Sequence, residues 1–276
     1  MLARLMKYEI KATARWFLPL YATMLIIALI NGFTLYSPFM VTEYTFTNPP
    51  ADNSAAFPSG SFQLAVKGTV SSFLMAIYVM MFIGIFAVTL IIVIQRFYKS
   101  LLGSEGYLMF TLPVEAWQHV LNKLIVSMIW CFLSLMVVFG SLCILVPKEE
   151  LAILASDLKS IADSLGTVAV VKIAIGSVLG FASSILQIYT AISLGQLFNK
   201  HKLLISFGMY IGISSVLQFV SSLIIVIFTG LTYRPGISAE LQISRTLNPM
   251  LFIAVVSAAG FFILTSYLLK RKLNLE

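Results

Sequence analysis

Apolar residues gather along the chain into six long runs, at 16–36, 70–94, 124–146, 168–194, 203–229 and 249–269. Charged residues are held almost wholly to the stretches between them, and Lys172 is the one ionisable side chain well inside a run. Each run matches or exceeds the ~20 residues that a helix needs to cross the hydrocarbon of a bilayer. No water satisfies backbone groups there, so a lone spanning segment must close its hydrogen bonds internally as a helix. The pattern therefore predicts an all-α polytopic membrane protein, a single transmembrane domain over residues 1–276 with six transmembrane helices. An amphipathic helix over residues 2–15 precedes the first run, which continues for a full span. No Ala-x-Ala-like site follows it, so it is expected to stay as an anchor and not to be cleaved as a signal peptide.

Composition agrees. The chain is 59% hydrophobic, and only 11% of its residues are Asp, Glu, Lys or Arg. The mean hydropathy is +0.98. A soluble domain usually carries about a quarter charged residues; one this apolar would expose large adhesive patches.

The net charge of +7 is informative through its placement. Six spans put both termini on one side. That side holds Arg4, Lys7, Lys11, Arg15, Arg96, Lys99, Lys123, Lys200, Lys202, Lys270, Arg271 and Lys272, twelve of the eighteen basic residues. The other side holds Lys67, Lys148, Lys159, Arg234 and Arg245, with seven of the eleven acidic residues. The positive-inside rule predicts a cell-membrane protein with both termini in the cytoplasm. The basic residues are spread over several short loops and not gathered in a groove, which argues against nucleic acid as a partner. Membrane lipid is the expected contact.

The outer connections are small. The first, at 37–69, contains "TNPPADNSAAFPSGS" and reads as irregular. The second, 147–167, has Leu151, Leu154, Leu158, Ile161 and Leu165 at helical spacing and predicts a short amphipathic helix. The third, 230–248, reads as a surface helix or a re-entrant element.

Sites of bond-making chemistry are sparse. His119 and His201, the two histidines, fall in or beside inner connections and form no His-Glu-x-x-His motif. No phosphate-binding Gly-x-x-x-x-Gly-Lys-Ser/Thr loop occurs. No acidic pair lies inside a run, which argues against an intramembrane aspartyl protease. Cys131 and Cys143 are twelve residues apart on one predicted helix, about 18 Å, too far to bridge. Lys172, near the outer end of its run, is expected to snorkel.

Uncharged polar residues form two stripes. Ser183, Gln187 and Thr190 are spaced by four and three; Ser214, Gln218 and Ser221 repeat that spacing. Each set shares one helix face. Two readings stand: a lining for the path of an amphiphile, or hydrogen bonds between helices, the commoner use of such residues in membranes. Gly176 with Gly180, and Gly208 with Gly212, allow close helix approach.

Between the second and third runs lies "QRFYKSLLGSEGYLMFTLPV", residues 95–114. Its charges, Arg96, Lys99 and Glu105, are too many for a short lipid-buried segment. The expectation is an interfacial helix, a turn around Glu105 between Gly103 and Gly106, and an apolar elbow ending at Pro113.

This stretch, together with "MLARLMKYEIKATARWFLPLY" and "AISLGQLFNKHK", resembles bacterial permease subunits of the ABC-2 type, especially those of Gram-positive anaerobes. The resemblance runs over nearly the whole chain. It implies the type V-like ABC-2 exporter permease fold, a half-transporter that pairs with a second permease subunit, the same or homologous. Two soluble ATPase subunits would dock below and supply ATP and Mg, with no cofactor in this chain itself. It makes 96–113 the region coupled to the ATPase, through Arg96, Lys99, Glu105, Tyr107 and Phe110. It sets Leu2, Met6, Ile10, Thr13 and Phe17 toward lipid or core, and Arg4, Lys7, Lys11 and Arg15 toward headgroups or the ATPase. Ser183, Gln187, Thr190, Ser214, Gln218 and Ser221 are the candidate substrate path.

The preferred expectation is thus a non-catalytic permease subunit of an ATP-driven exporter acting on an amphiphilic peptide or lipid. The alternative is a membrane scaffold or immunity protein that binds an antimicrobial peptide without turnover. An intramembrane enzyme is the third class, disfavoured by the missing catalytic groups.

Overall fold

A computed structural model describes residues 2–36, 59–102, 115–198, 200–232, 236 and 239–271. The described elements are all helical. Helix α1 is Leu2–Tyr36, α2 is Ser59–Phe97, α3 is Ala116–Leu145, α4 is Lys148–Leu165, α5 is Thr167–Gly195, α6 is Lys202–Thr232 and α7 is Ala239–Arg271; a π-helical turn, Tyr98–Leu102, extends α2. Six of the helices are long and apolar enough to cross a membrane, and the chain is a multi-pass membrane protein.

The spans run longer than the apolar runs. The candidate windows begin at Met6, Ser72, Ala116, Thr167, Lys202 and Leu241. The 2–15 segment is continuous with the first span inside α1. The second span continues through Arg96 into the π-helical turn, where Phe97 and Leu101 are fully buried. An interfacial helix separate from α2 was expected here. Instead Val93, Phe97 and Leu101, spaced by four, carry one buried face across both elements. The sixth span passes through Pro249 and does not start there. Proline lacks an N–H and leaves the carbonyl four residues earlier without its helical partner; this helix accommodates that loss internally.

Two compact units can be distinguished. One comprises Met1–Ala12, Leu90–Cys131 and Ile153–Glu276; the other comprises Thr13–Thr89 and Phe132–Ala152. In the first unit α5 packs along both α7 and α6. Its core joins Val93, Phe97 and Leu101 to Val120 and Leu124 of α3, to Ile185, Leu186, Tyr189 and Ile192 of α5, and to Leu269 of α7. The rings of Phe97 and Tyr189 stack with centroids 4.0 Å apart. In the second unit, Thr13, Phe17, Tyr21, Met24, Ala28 and Asn31 form the buried stripe of α1, with the three-to-four spacing of one helix face.

Three buried serines at seven-residue intervals on α3 each meet a tyrosine. Ser127 bonds Tyr189 at 2.7 Å within the first unit. Ser134 bonds Tyr21 at 2.7 Å and Ser141 bonds Tyr78 at 3.0 Å within the second. A buried phenol needs such a partner, because its ring favours the interior and its hydroxyl does not. Thr89 adds a 3.0 Å bond to Ser134.

Helix α4 has no buried residue. Ile153, Leu154, Leu158 and Ile161 are each more than half exposed to the surroundings, as an amphipathic helix lying in a membrane interface would be. Glu149 and Glu150 occupy its first turn, where they favour the positive end of the helix dipole. Gly166, with φ of 77°, turns the chain from α4 into α5, a conformation open to glycine at little cost.

Candidate functional site

The polar stripe of α5 lies where α5, α6 and α7 meet. Helices α5 and α7 run parallel: Lys172 contacts Ser244, Ser183 contacts Ser257 and Thr190 contacts Thr265, at sequence separations of 72, 74 and 75. Helix α6 runs antiparallel between them in sequence, with Gln187 meeting Ser214 and Gly195 meeting Ser206. At Gly195 an added Cβ would lie 2.8 Å from the Ser206 Cα, so only a hydrogen fits.

Hydrogen bonds account for much of the predicted stripe. The Ser183 hydroxyl donates to Ser257 Oγ at 2.9 Å. The Gln187 amide donates to Ser214 Oγ at 2.6 Å. Thr190 and Thr265 share a 2.8 Å bond, and Thr190 also donates to the Leu186 carbonyl. Ser183, Gln187 and Thr190 are buried, Ser214 and Ser221 half-buried, and Gln218 exposed. Ser221 turns its hydroxyl to the Gln218 carbonyl of its own helix at 3.0 Å.

The same stripe also lines a cavity of about 250 Å³. Ser183, Ser184, Gln187, Ser221 and Ser257 are its polar lining, interleaved with Leu217, Ile225, Met250 and Ile253. The stripe thus divides between interhelical hydrogen bonds and the lining of a cavity. Thr190 lies in the bonded seam, Ser183 and Gln187 serve both, and Ser221 faces the cavity. A mixed wall of this kind suits an amphiphile: its chain is covered by aliphatic contact, and a few polar groups fix its orientation.

The Lys172 ammonium donates to α7, to the Ser244 carbonyl at 3.0 Å and the Ser244 hydroxyl at 2.8 Å. Ser244 directly precedes Arg245, whose carbonyl loses its helical donor to Pro249.

A second polar cluster was not foreseen. Glu9 of α1 forms an ion pair with Lys123 of α3 and accepts from the Asn122 amide at 3.2 Å. Lys123 is only 3% exposed and Asn122 fully buried, with His119 one turn away at 1%. By sequence, Lys123 counts among the basic residues of the inner side, just ahead of its run. Pairing explains its burial, since mutual neutralisation lets two charges enter a region that either alone would avoid. The signal in the sequence was weak: two opposite charges 114 residues apart, with nothing to join them but the fold.

Of the residues expected to face an ATPase, Arg96 is half-buried in the last turn of α2 and Lys99 is exposed on the π-helical turn. Glu105, Tyr107 and Phe110 lie outside the described residues. No protein-family model, curated protein or solved structure matches this chain.

Proposed function

We propose that this chain is the membrane-spanning permease subunit of an ATP-driven transporter of the ABC-2 type, exporting or extracting an amphiphilic substrate such as a peptide or lipid. The observation that carries the reading is the cavity among α5, α6 and α7, whose lining mixes serine and glutamine with aliphatic side chains. The six spans and the resemblance of the 95–114 stretch support it further. Among the described side chains of α6 only Ser206 is buried, which leaves apolar surface for a second permease subunit. In this reading the chain itself is not catalytic. Soluble ATPase subunits bring ATP and Mg and dock on the 96–113 region, where Arg96 and Lys99 flank Glu105, Tyr107 and Phe110. The charge asymmetry supports a bacterial cytoplasmic membrane with both termini in the cytoplasm.

The test is reconstitution in vesicles of the chain co-expressed with the products of its neighbouring genes. ATP-dependent movement of a fluorescent amphiphile is expected, with Ser221→Leu reducing transport by filling the cavity. ATP hydrolysis by the purified chain alone would overturn the division of labour. Binding of an antimicrobial peptide without ATP-dependent transport would favour the scaffold or immunity reading instead.

A further inference from the structure

At the seam between α5 and α7, no described carboxylate pairs with Lys172. Lys172 lies inside the span window Thr167–Gly195, and its two bonds go to one neutral residue, Ser244. An ammonium has three donors, so among the described residues one N–H is left over and the positive charge meets only neutral acceptors. A cation within a span is costly unless it is paired, reaches an interface or serves a ligand. Lysines near helix ends commonly reach outward; this one is fastened sideways to α7.

Its place on α5 is specific. Lys172, Gly176, Gly180, Ser183 and Gln187 follow at spacings of four, four, three and four, all on one helix face. Gly180 marks the near edge of the 250 Å³ cavity and Gln187 its far wall. At 1.5 Å per residue, Lys172 stands ~12 Å from the level of Gly180 and ~22 Å from that of Gln187. Half the hydrocarbon thickness is ~15 Å, so an acyl chain headed at Lys172 ends within the cavity. Between them, Leu251 of α7 packs against Gly176, where an added Cβ would come within 3.2 Å. It gives the first carbons of such a chain an aliphatic surface.

We propose that the α5–α7 seam is a binding site for an anionic phospholipid, with the head-group phosphate on the Lys172 ammonium and an acyl chain running past Leu251 into the cavity lined by Gly180, Ser183 and Ser257. This rests on the amphiphile reading above and narrows its substrate class to one bearing negative charge. Ser244 acts as a positioning residue: its two acceptors hold the ammonium in place and leave one N–H for the phosphate. A head group without net charge would leave the lysine uncompensated, so the site discriminates by charge.

The experiment uses the full chain in nanodiscs of phosphatidylcholine doped with phosphatidylglycerol, with retained lipid counted by native mass spectrometry. Wild type is expected to retain phosphatidylglycerol preferentially. Lys172→Ala should lower that preference about tenfold, the scale of one hydrogen bond to a charged group, and leave phosphatidylcholine retention unchanged. Lys172→Arg should keep most of it, and Ser183→Leu, which narrows the cavity without touching the charge, should reduce retention of both lipids. Inorganic phosphate at millimolar concentration should not displace the lipid; displacement would mark a soluble-anion site and overturn the proposal. Unchanged preference in Lys172→Ala would overturn it too, as would an equal loss of both lipids in that variant. The measurement needs no ATPase. A charge preference that depends on Lys172 in a chain that fails the vesicle transport test would keep the lipid site and reject the transporter reading.

Discussion

Helices α5 and α6 are neighbours of almost equal length, 29 and 31 residues, and both cross the membrane. Each carries a Ser-Gln-Ser/Thr stripe at the same spacing and a pair of glycines four apart. Their fates differ. Helix α5 buries eleven residues, including Tyr189 and all three members of its stripe. Among its described side chains α6 buries only Ser206, and Gln218, the centre of its stripe, is exposed. The difference is position. Helix α5 is packed by α6 and α7 and meets the core residues of α2 and α3, whereas α6 borders chiefly on α5 and α7. In lipid an apolar helix gains little from burial as such, so packing, small residues and hydrogen bonds select which surface is covered.

That contrast can be broken at four places. The largest effect is expected where α5 fills the core. Tyr189→Ala removes the ring stacked on Phe97 and the hydroxyl bonded to Ser127, and should destabilise by ~3–5 kcal/mol. Tyr210→Ala on α6, at a site 37% exposed, should change stability by less than ~0.5 kcal/mol. Denaturation in mixed micelles compares them; equal losses would mean that α6 carries packing the structure does not assign to it.

Gly195→Val comes next. Its side chain meets the backbone of Ser206, which cannot rotate away, so overpacking of ~1–3 kcal/mol is expected. A cysteine pair engineered across the α5–α6 turn should then cross-link more slowly than in the wild-type background. An unchanged rate would show that the two helices need not approach so closely.

A smaller effect belongs to the stripes. Thr190→Val deletes the bond to Thr265 and should cost ~0.6 kcal/mol, the average for hydrogen bonds between membrane helices. Gln218→Leu should be neutral in stability. If Gln218→Leu proves the costlier of the two, the α6 stripe has a partner beyond this chain, and pull-down of a second permease copy would show the same dependence.

The glycine pairs are expected to shift stability in the opposite direction. Nothing lies within 4 Å of an added Cβ at Gly208 or Gly212. Alanine there should be neutral or stabilise by up to ~1 kcal/mol through helix propensity. Gly176→Ala brings its methyl to 3.2 Å from Leu251 and should gain less. Loss of stability in Gly212→Ala, read by the same denaturation, would indicate a helix seated on that face.

Much of this architecture was legible beforehand for one reason: lipid is a demanding solvent. A run of ~20 apolar residues has few alternatives to a spanning helix, so the six spans and the amphipathic α4 could be read directly. The boundaries could not. Lys123 read as an inner-side charge just ahead of a run, because the rule that keeps charge out of lipid is blind to its pairing with Glu9. Pro249 read as a helix start, because proline is favoured there; in α7 it is interior. The candidate site was half legible. The spacing of Ser183, Gln187 and Thr190 announced one polar face, yet the same spacing on α6 announced another that stays largely unpartnered.

What the sequence determined by itself is local: which segments must be helical, which face of each is polar, and which segments cross. Periodicity and transfer free energy act within ~20 residues, and no partner is needed to evaluate them. What the tertiary structure decided is every pairing over long separations. Glu9 with Lys123, the three α3 serines with Tyr189, Tyr21 and Tyr78, and Lys172 with Ser244 join residues 62 to 114 positions apart. Each is a small contribution that many other serines or charges could have supplied equally well. Only the helix arrangement fixes which of those equivalent groups come within hydrogen-bond reach.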